Sequence, residues 1–208
     1  MWSVSAGRVL DAFLPTRCAG CGLPSSPFCA GCRSECEAPP ECTEDGIWAI
    51  PDPEEHLRAA LRAFKDHARF AVRGPLGSAW CRAARAAGAG VSDAVVLLVP
   101  SRTSSLARRG FDPVRALSRG VPVLPAAAAW VSRPMRDQRG LSAAQRQRNV
   151  RGGFSVDPVW VSGRSVILAD DVATTGSTLG ALASAVSEAG GRTVGMAALI
   201  SVHRSQTR

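Results

Sequence analysis

Val166-Ile-Leu-Ala-Asp-Asp-Val-Ala-Thr-Thr-Gly-Ser-Thr178 is the stretch on which the reading of this chain turns. Val166 to Ala169 is a continuous apolar run, the pattern of a strand buried on both faces of a parallel sheet, and with Ser165 it predicts a strand over 165–169. The run stops at two adjacent carboxylates, Asp170 and Asp171. Val172 and Ala173 follow, then Thr174-Thr175-Gly176-Ser177-Thr178, and a helix is expected from Ser177 to Ala189, ended by Gly190-Gly191. Ligands of open α/β sheets bind at the carboxyl ends of strands. Two neighbouring carboxylates there can accept hydrogen bonds from the vicinal hydroxyls of a ribose. The residues after Ala173 add hydroxyls, a glycine for close backbone approach and the N–H groups of a helix start, together a cradle for a monoester phosphate. A ribose 5-phosphate spans both halves. Reading Asp170 and Asp171 as a bare magnesium site or a helix N-cap leaves the attached hydroxyl loop without a purpose. The chain has no G-x-x-x-x-G-K-[ST], which disfavours a nucleotide triphosphatase of the P-loop type.

Outward from this stretch, strands and helices alternate. Thr193 to Ile200 reads as the next strand, and Ala94-Val-Val-Leu-Leu-Val99 as a buried one that ends abruptly at Pro100-Ser101-Arg102. Leu57, Leu61 and Phe64 stand at helical spacing in 54–65, and a second helix is expected over Pro75 to Ala87. A short helix near Pro113 to Ser118 and an extended stretch near Ala126 to Val131 precede a break in the pattern. Ser132 to Gly153 is polar and rich in Arg and Gln, the composition of a functional loop or of disorder. Alternating elements of this kind imply a mainly parallel sheet with both faces covered.

The cysteines mark a separate unit. Cys18-Ala-Gly-Cys21 and Cys29-Ala-Gly-Cys32 each bring two thiolates to one turn, and two such turns supply four sulfurs for a tetrahedral Zn²⁺. A disulfide framework suits an oxidising compartment, and a redox C-x-x-C comes singly at a strand-to-helix junction, so both fit less well. Cys36 and Cys42 lie close enough in sequence to serve as alternative ligands, and Cys81, inside a helical pattern, reads as core. Ala38-Pro-Pro-Glu41 breaks the chain, so the expected organisation is a module over 1–42 and an α/β domain over 43–208. A length of 208 residues suits one domain plus such a module.

Met1 to Leu14 reads as a short amphipathic helix. Arg8 and Asp11 interrupt its apolar stretch, so it lacks the shape of a signal peptide, and no apolar run approaches the ~18 residues of a membrane span. A cytoplasmic protein is expected. The formal net charge of +8 invites anionic partners. Its source is 24 arginines and a single lysine, Lys65, a compositional bias that weakens any one arginine as a site marker. His56, His67 and His203 show no ligand spacing and read as surface residues.

The 166–178 stretch resembles the signature of type I phosphoribosyltransferases. With the upstream C-x-x-C pairs, the chain resembles the ComF family of competence-associated phosphoribosyltransferase-like proteins. The resemblance extends through Ala63-Phe-Lys65, Val99-Pro-Ser-Arg102, Arg108-Arg-Gly-Phe-Asp112, Leu141-Ser-Ala-Ala-Gln-Arg146, Arg148-Asn149 and Gly153-Phe154. It implies a Rossmann-like fold that binds 5-phosphoribosyl-1-pyrophosphate with Mg²⁺. By position, Asp170 and Asp171 hold the ribose hydroxyls; Ala173, Thr174, Thr175, Gly176, Ser177 and Thr178 hold the 5-phosphate. Ser101 and Arg102 belong to the pyrophosphate loop, Lys65 joins the substrate-binding set, and 132–153 corresponds to a closing loop. The expected catalytic residues are Asp170, Asp171 and Arg102.

Two classes of function follow. One is an enzyme that transfers the phosphoribosyl group to an acceptor the sequence does not name, with arginines and Mg²⁺ stabilising the departing pyrophosphate. The other is a sugar-phosphate sensor or adaptor that contacts single-stranded DNA and a competence helicase. Aromatic residues make up only 5% of the chain, so stacking platforms for bases are scarce.

Overall fold

A computed structural model describes residues 17–132 and 153–202. The helix expected over Met1 to Leu14, the arginines between 133 and 151 and His203 lie outside the described residues. In chain order the elements are α1 (Ala30–Glu35), β1 (Glu41–Cys42), β2 (Ile47–Ile50), α2 (His56–His67), α3 (Arg73–Ala87), β3 (Val95–Leu98), α4 (Thr103–Arg109), α5 (Pro113–Leu117), β4 (Ala129–Val131), β5 (Phe154–Val156), α6 (Pro158–Val161), β6 (Ser165–Ala169), β7 (Val172–Ala173), α7 (Ser177–Glu188) and β8 (Arg192–Ser201).

The main sheet has the order β1-β2-β8-β6-β3, with β7 also paired to β8. Every pairing is parallel except β1 with β2. Strand alternation sorts the core into two halves. Val96, Leu98, Ile167, Ala169, Ala197 and Leu199 face α2 and α3, while Val95, Leu97, Val166, Leu168 and Ala198 face α7. Helices therefore cover both sides, which is why β3 and β6 read as unbroken apolar runs. On the first side Trp80, Phe64, Leu61 and Leu76 are fully buried. Each such side chain contributes about 1.5–3 kcal/mol by leaving water. Gly195 is needed where the end of α3 presses on β8, because a Cβ there would lie 1.9 Å from the Ala87 carbonyl oxygen.

The mainly parallel α/β reading of the sequence stands, and the structure adds several short elements it did not contain, two of them instructive. Ile47–Ile50 joins the sheet as β2, although a four-residue apolar run carries no period that separates strand from helix. Thr103–Arg109 is a helix without a buried residue, so it had no apolar stripe to betray it. A separate antiparallel ribbon, β4 with β5, packs against α7 and brackets residues 133–152.

Candidate functional site: an acid pair, a hydroxyl loop and a four-cysteine cluster

The acid pair occupies a break in one edge of the β8 ladder. β6 pairs with β8 up to Ala169, and β7 resumes the pairing at Val172. Across the gap the backbone stays bonded: the Asp170 N–H donates to the Ala197 carbonyl at 3.0 Å, and the Asp171 carbonyl accepts from Leu199 N–H at 3.2 Å. The Trp80 indole N–H donates to the Asp170 carbonyl at 2.7 Å. Trp80 is fully buried, so this bond fixes the pair from beneath.

The two carboxylates differ in their surroundings. Asp171 forms an ion pair with Lys65, Oδ2 to Nζ at 2.7 Å, with both side chains mostly out of solvent. Among the described residues Asp170 forms no ion pair, and its Oδ1 accepts the Asp171 N–H at 2.8 Å. Burial, and after it the neighbouring Asp171 charge, pushes the Asp170 carboxyl from the usual carboxylate range up to about 7; the Asp171 N–H and Lys65 act the other way. Near neutrality Asp170 is thus poised between its neutral and charged forms.

The hydroxyl loop lies directly beyond. Asp170, Ala173, Thr174, Gly176, Ser177 and Thr178 line one small cavity. Thr175 is exposed beside it, its Oγ1 2.7 Å from the Ser177 Oγ. Gly176 takes a left-handed conformation (φ +63°) as the residue before α7, and it offers no side-chain acceptor to the first-turn N–H groups. Ser177, Thr178 and Leu179 of that first turn line the cavity, at the positive end of a 12-residue helix. The N-cap reading of the acid pair is thereby set aside, since Gly176 caps the helix.

The loop after β3 sits one strand over. Val99 N–H donates to the Ala169 carbonyl at 2.9 Å, which places the start of 99–103 beside Asp170. Ser101 and Arg102 line a larger cleft of about 640 Å³, together with Arg115, Asp112 and the half-exposed Trp130. The structure thus gathers Lys65, Asp170, Asp171 and the 173–178 loop at one place and puts Ser101 and Arg102 in the adjoining cleft. Arg109 is engaged by Asp66 at 3.2 Å. Trp80, Trp130 and Arg115 escaped the sequence reading: nothing in the neighbourhood of a single tryptophan or arginine marks it as facing a site.

The sulfurs of Cys18, Cys21, Cys29 and Cys32 all lie within 4.8 Å of one another, so these residues could hold a metal ion. The Cys21–Cys29 separation is 3.8 Å. A tetrahedron with metal–sulfur bonds of about 2.3 Å has an edge of about 3.8 Å, so the donor set fits Zn²⁺. Cys29 caps α1, accepting from the Cys32 N–H, and the Cys29 N–H donates to Cys18 Sγ at 3.3 Å. Burial opposes ionisation of Cys18, but N–H groups of Cys29, Gly20 and Cys21 outweigh it and bring the thiol down to about 6. Cys36 and Cys42 do not belong to the cluster. Cys36 is a buried thiol pushed up to about 12 by burial, and Cys42 is exposed on β1. Cys81 is buried in α3, as its pattern predicted.

His56 is partly exposed and has a partner the sequence did not show. Its Nδ1 meets Glu35 Oε1 at 2.8 Å, and the pair lies next to Cys32. The hydrogen bond to Glu35 raises its pKa from the ordinary value. Histidine spacing could not reveal this, because the partner lies 21 residues away.

No protein-family profile matches the chain. Two curated relatives, from Shigella flexneri and from Escherichia coli O6:H1, carry the name DNA utilization protein YhgH. Each is 29% identical over 192 residues, covering 86% of this chain and 81% of the relative. The chain is thus similar to DNA utilization proteins along most of its length. Among solved structures, the allosteric regulatory enzyme of purine biosynthesis is 23% identical over 62% of this chain, with a TM-score of 0.35; the chain spans only 26% of that enzyme. Orotate phosphoribosyltransferase from Aeropyrum pernix is 20% identical over 83% of this chain and 78% of its own, with a TM-score of 0.33. No helix among the described residues is long and apolar enough to cross a membrane.

Proposed function

We propose that the chain binds 5-phosphoribosyl-1-pyrophosphate with Mg²⁺ and transfers its phosphoribosyl group to an acceptor. The observation that carries this reading is the acid pair at the end of β6, followed within a few residues by a helix start that has no side-chain cap. Asp170 and Asp171 take the two ribose hydroxyls, Asp171 exchanging part of its contact with Lys65 for them. The loop Thr174 to Thr178 receives the 5-phosphate through hydroxyls and first-turn N–H groups. Ser101 and Arg102 face the pyrophosphate from the cleft next door. In the transfer an acceptor lone pair forms the new bond to C1 of the ribose. Pyrophosphate leaves with the electrons of the broken C1–O bond, and the acceptor's proton passes to solvent or to pyrophosphate. Mg²⁺ on the pyrophosphate would supply charge neutralisation; the chain's own part is to orient the sugar and to meet the departing charge with Arg102.

In this reading the four cysteines hold one structural Zn²⁺, residues 1–42 form the zinc module and 43–208 the transferase-like domain, and the protein works in the cytoplasm. The name of its relatives supports a link to DNA uptake and competence. That name and the net charge of +8 also favour a second reading. In it the same site senses the sugar phosphate without turnover, while the protein contacts single-stranded DNA and a helicase.

A calorimetric titration with phosphoribosyl pyrophosphate, with and without Mg²⁺, tests the binding that both readings share. Release of pyrophosphate in the presence of candidate acceptors then separates enzyme from sensor. If single-stranded DNA is bound through phosphates, its affinity falls steeply with salt and shows little sequence preference. Absence of any heat with the sugar pyrophosphate removes both readings.

A further inference from the structure

Helix α2 links the two sites, and the cysteine module grips it at both ends. At its start, His56 is bonded to Glu35 of α1 at 2.8 Å. There the Gly20 turn sits so close that a Cβ would lie 2.7 Å from Cys32 Sγ and 3.2 Å from the His56 carbonyl. Beyond its end, the Arg69 guanidinium donates to the carbonyls of Arg17 and Pro27, on either side of the first cysteine pair. Between these points Leu57, Ala60, Leu61 and Phe64 share one core with Cys18, Ala19, Phe28, Cys32 and Cys36. The last turn of the same helix carries Lys65, 2.7 Å from Asp171. A helix of 12 residues spans about 18 Å, so it transmits a displacement at one end to the other.

We propose that His56, Glu35 and Arg69 are positioning residues. They fix α2 to the cysteine module so that Lys65 stands against Asp171, and occupancy of the four-cysteine site thereby governs affinity at the acid pair. The effect on affinity rests on reading the acid pair as a sugar-phosphate site; the placement of Lys65 does not. A module that merely stabilised the fold would leave Lys65 where it is as long as the domain stays folded.

The single lysine makes the test direct. Protein labelled with ¹³C-lysine gives one ε-methylene signal in the zinc-loaded state, and Asp171→Asn marks where that signal falls when the ion pair is lost. The variant His56→Ala with Arg69→Ala, checked to retain its zinc and its circular dichroism, should move the signal at least halfway towards that mark. Chelation of the metal should do the same. Affinity for phosphoribosyl pyrophosphate should fall about five- to tenfold in the double variant, and no further loss should follow when both changes are made in Lys65→Ala. A lysine signal that stays in place while zinc is retained overturns the proposal, as does an equal affinity loss in the Lys65→Ala background. If the signal moves but wild type binds no sugar pyrophosphate, the positioning stands and the sugar-phosphate reading falls. Should the double variant fail to fold, Arg69→Ala alone, which removes only the surface contact, is read by the same criteria.

Discussion

The four-cysteine cluster and the acid-pair site are built in opposite ways. All four sulfurs come from residues 18–32, and one turn plus the start of α1 brings them together. The acid-pair site draws Lys65 from α2, Trp80 from α3, Val99 from the end of β3 and the 170–178 stretch, which meet only because the sheet and its covering helices are assembled. A local site depends mainly on chain connectivity. A distributed one depends on the whole core. Loss of metal should therefore be felt first as loss of structure, with weaker recognition following through α2, whereas changes at the acid pair should be felt chiefly as loss of recognition.

The largest expected effect strikes the local site. Purified protein should contain about one zinc per chain, and Cys18→Ser with Cys21→Ser should contain none. Apparent zinc binding free energies in small modules are about 10–16 kcal/mol, so stability should drop by several kcal/mol. Because Cys18 and Cys32 share their core with α2 and α3, the loss should appear as a lower melting temperature of the whole chain. Metal analysis showing no zinc in freshly reduced wild type would remove the metal side of the comparison.

Next comes the buried charge. Asp170 is raised to about 7 in the folded chain, against about 4 for an unfolded carboxyl, so the folded state binds the extra proton between those values. Stability of the unliganded protein should therefore decline as pH rises from about 4 to about 7, by up to a few kcal/mol, and level off above. Asp170→Asn keeps an acceptor for the Asp171 N–H and should flatten that decline, ending more stable than wild type at pH 8. Denaturant midpoints across pH check it; parallel curves for both proteins would mean that Asp170 is ordinarily ionised.

A smaller effect tests how the distributed site is held. Trp80→Phe preserves most of the buried area but strips the Asp170 carbonyl of its donor, at a cost of about 1–3 kcal/mol. Affinity for the sugar pyrophosphate should fall along with stability. Unchanged affinity would show that the sheet alone sets the acid pair. Smallest of all, Arg109→Ala removes a surface ion pair with Asp66 and should shift stability by no more than about 1 kcal/mol.

The same contrast explains what was legible in the sequence. Strands β3, β6 and β8, helix α7 and the cysteine cluster were readable because apolar runs, a glycine-ended helix and paired C-x-x-C spacing are local signals. The acid pair and its loop were readable as a contiguous stretch, and Lys65 entered through resemblance. Trp80 and the His56–Glu35 pair were not readable, since each acts on a partner distant in sequence and carries no periodic mark. Helix α4 buries nothing, and β2 is too short to show a period.

The proposed recognition of a ribose by the acid pair differs from a general attraction of a basic protein for anions. Isothermal titration of wild type and Asp171→Asn with phosphoribosyl pyrophosphate and with pyrophosphate alone tests it most directly. A charge-assisted hydrogen bond contributes roughly 1.5–3 kcal/mol, so the substitution should weaken the sugar pyrophosphate about tenfold to a hundredfold while pyrophosphate barely changes. Equal losses for both ligands, or tighter binding of either by Asp171→Asn, would contradict it.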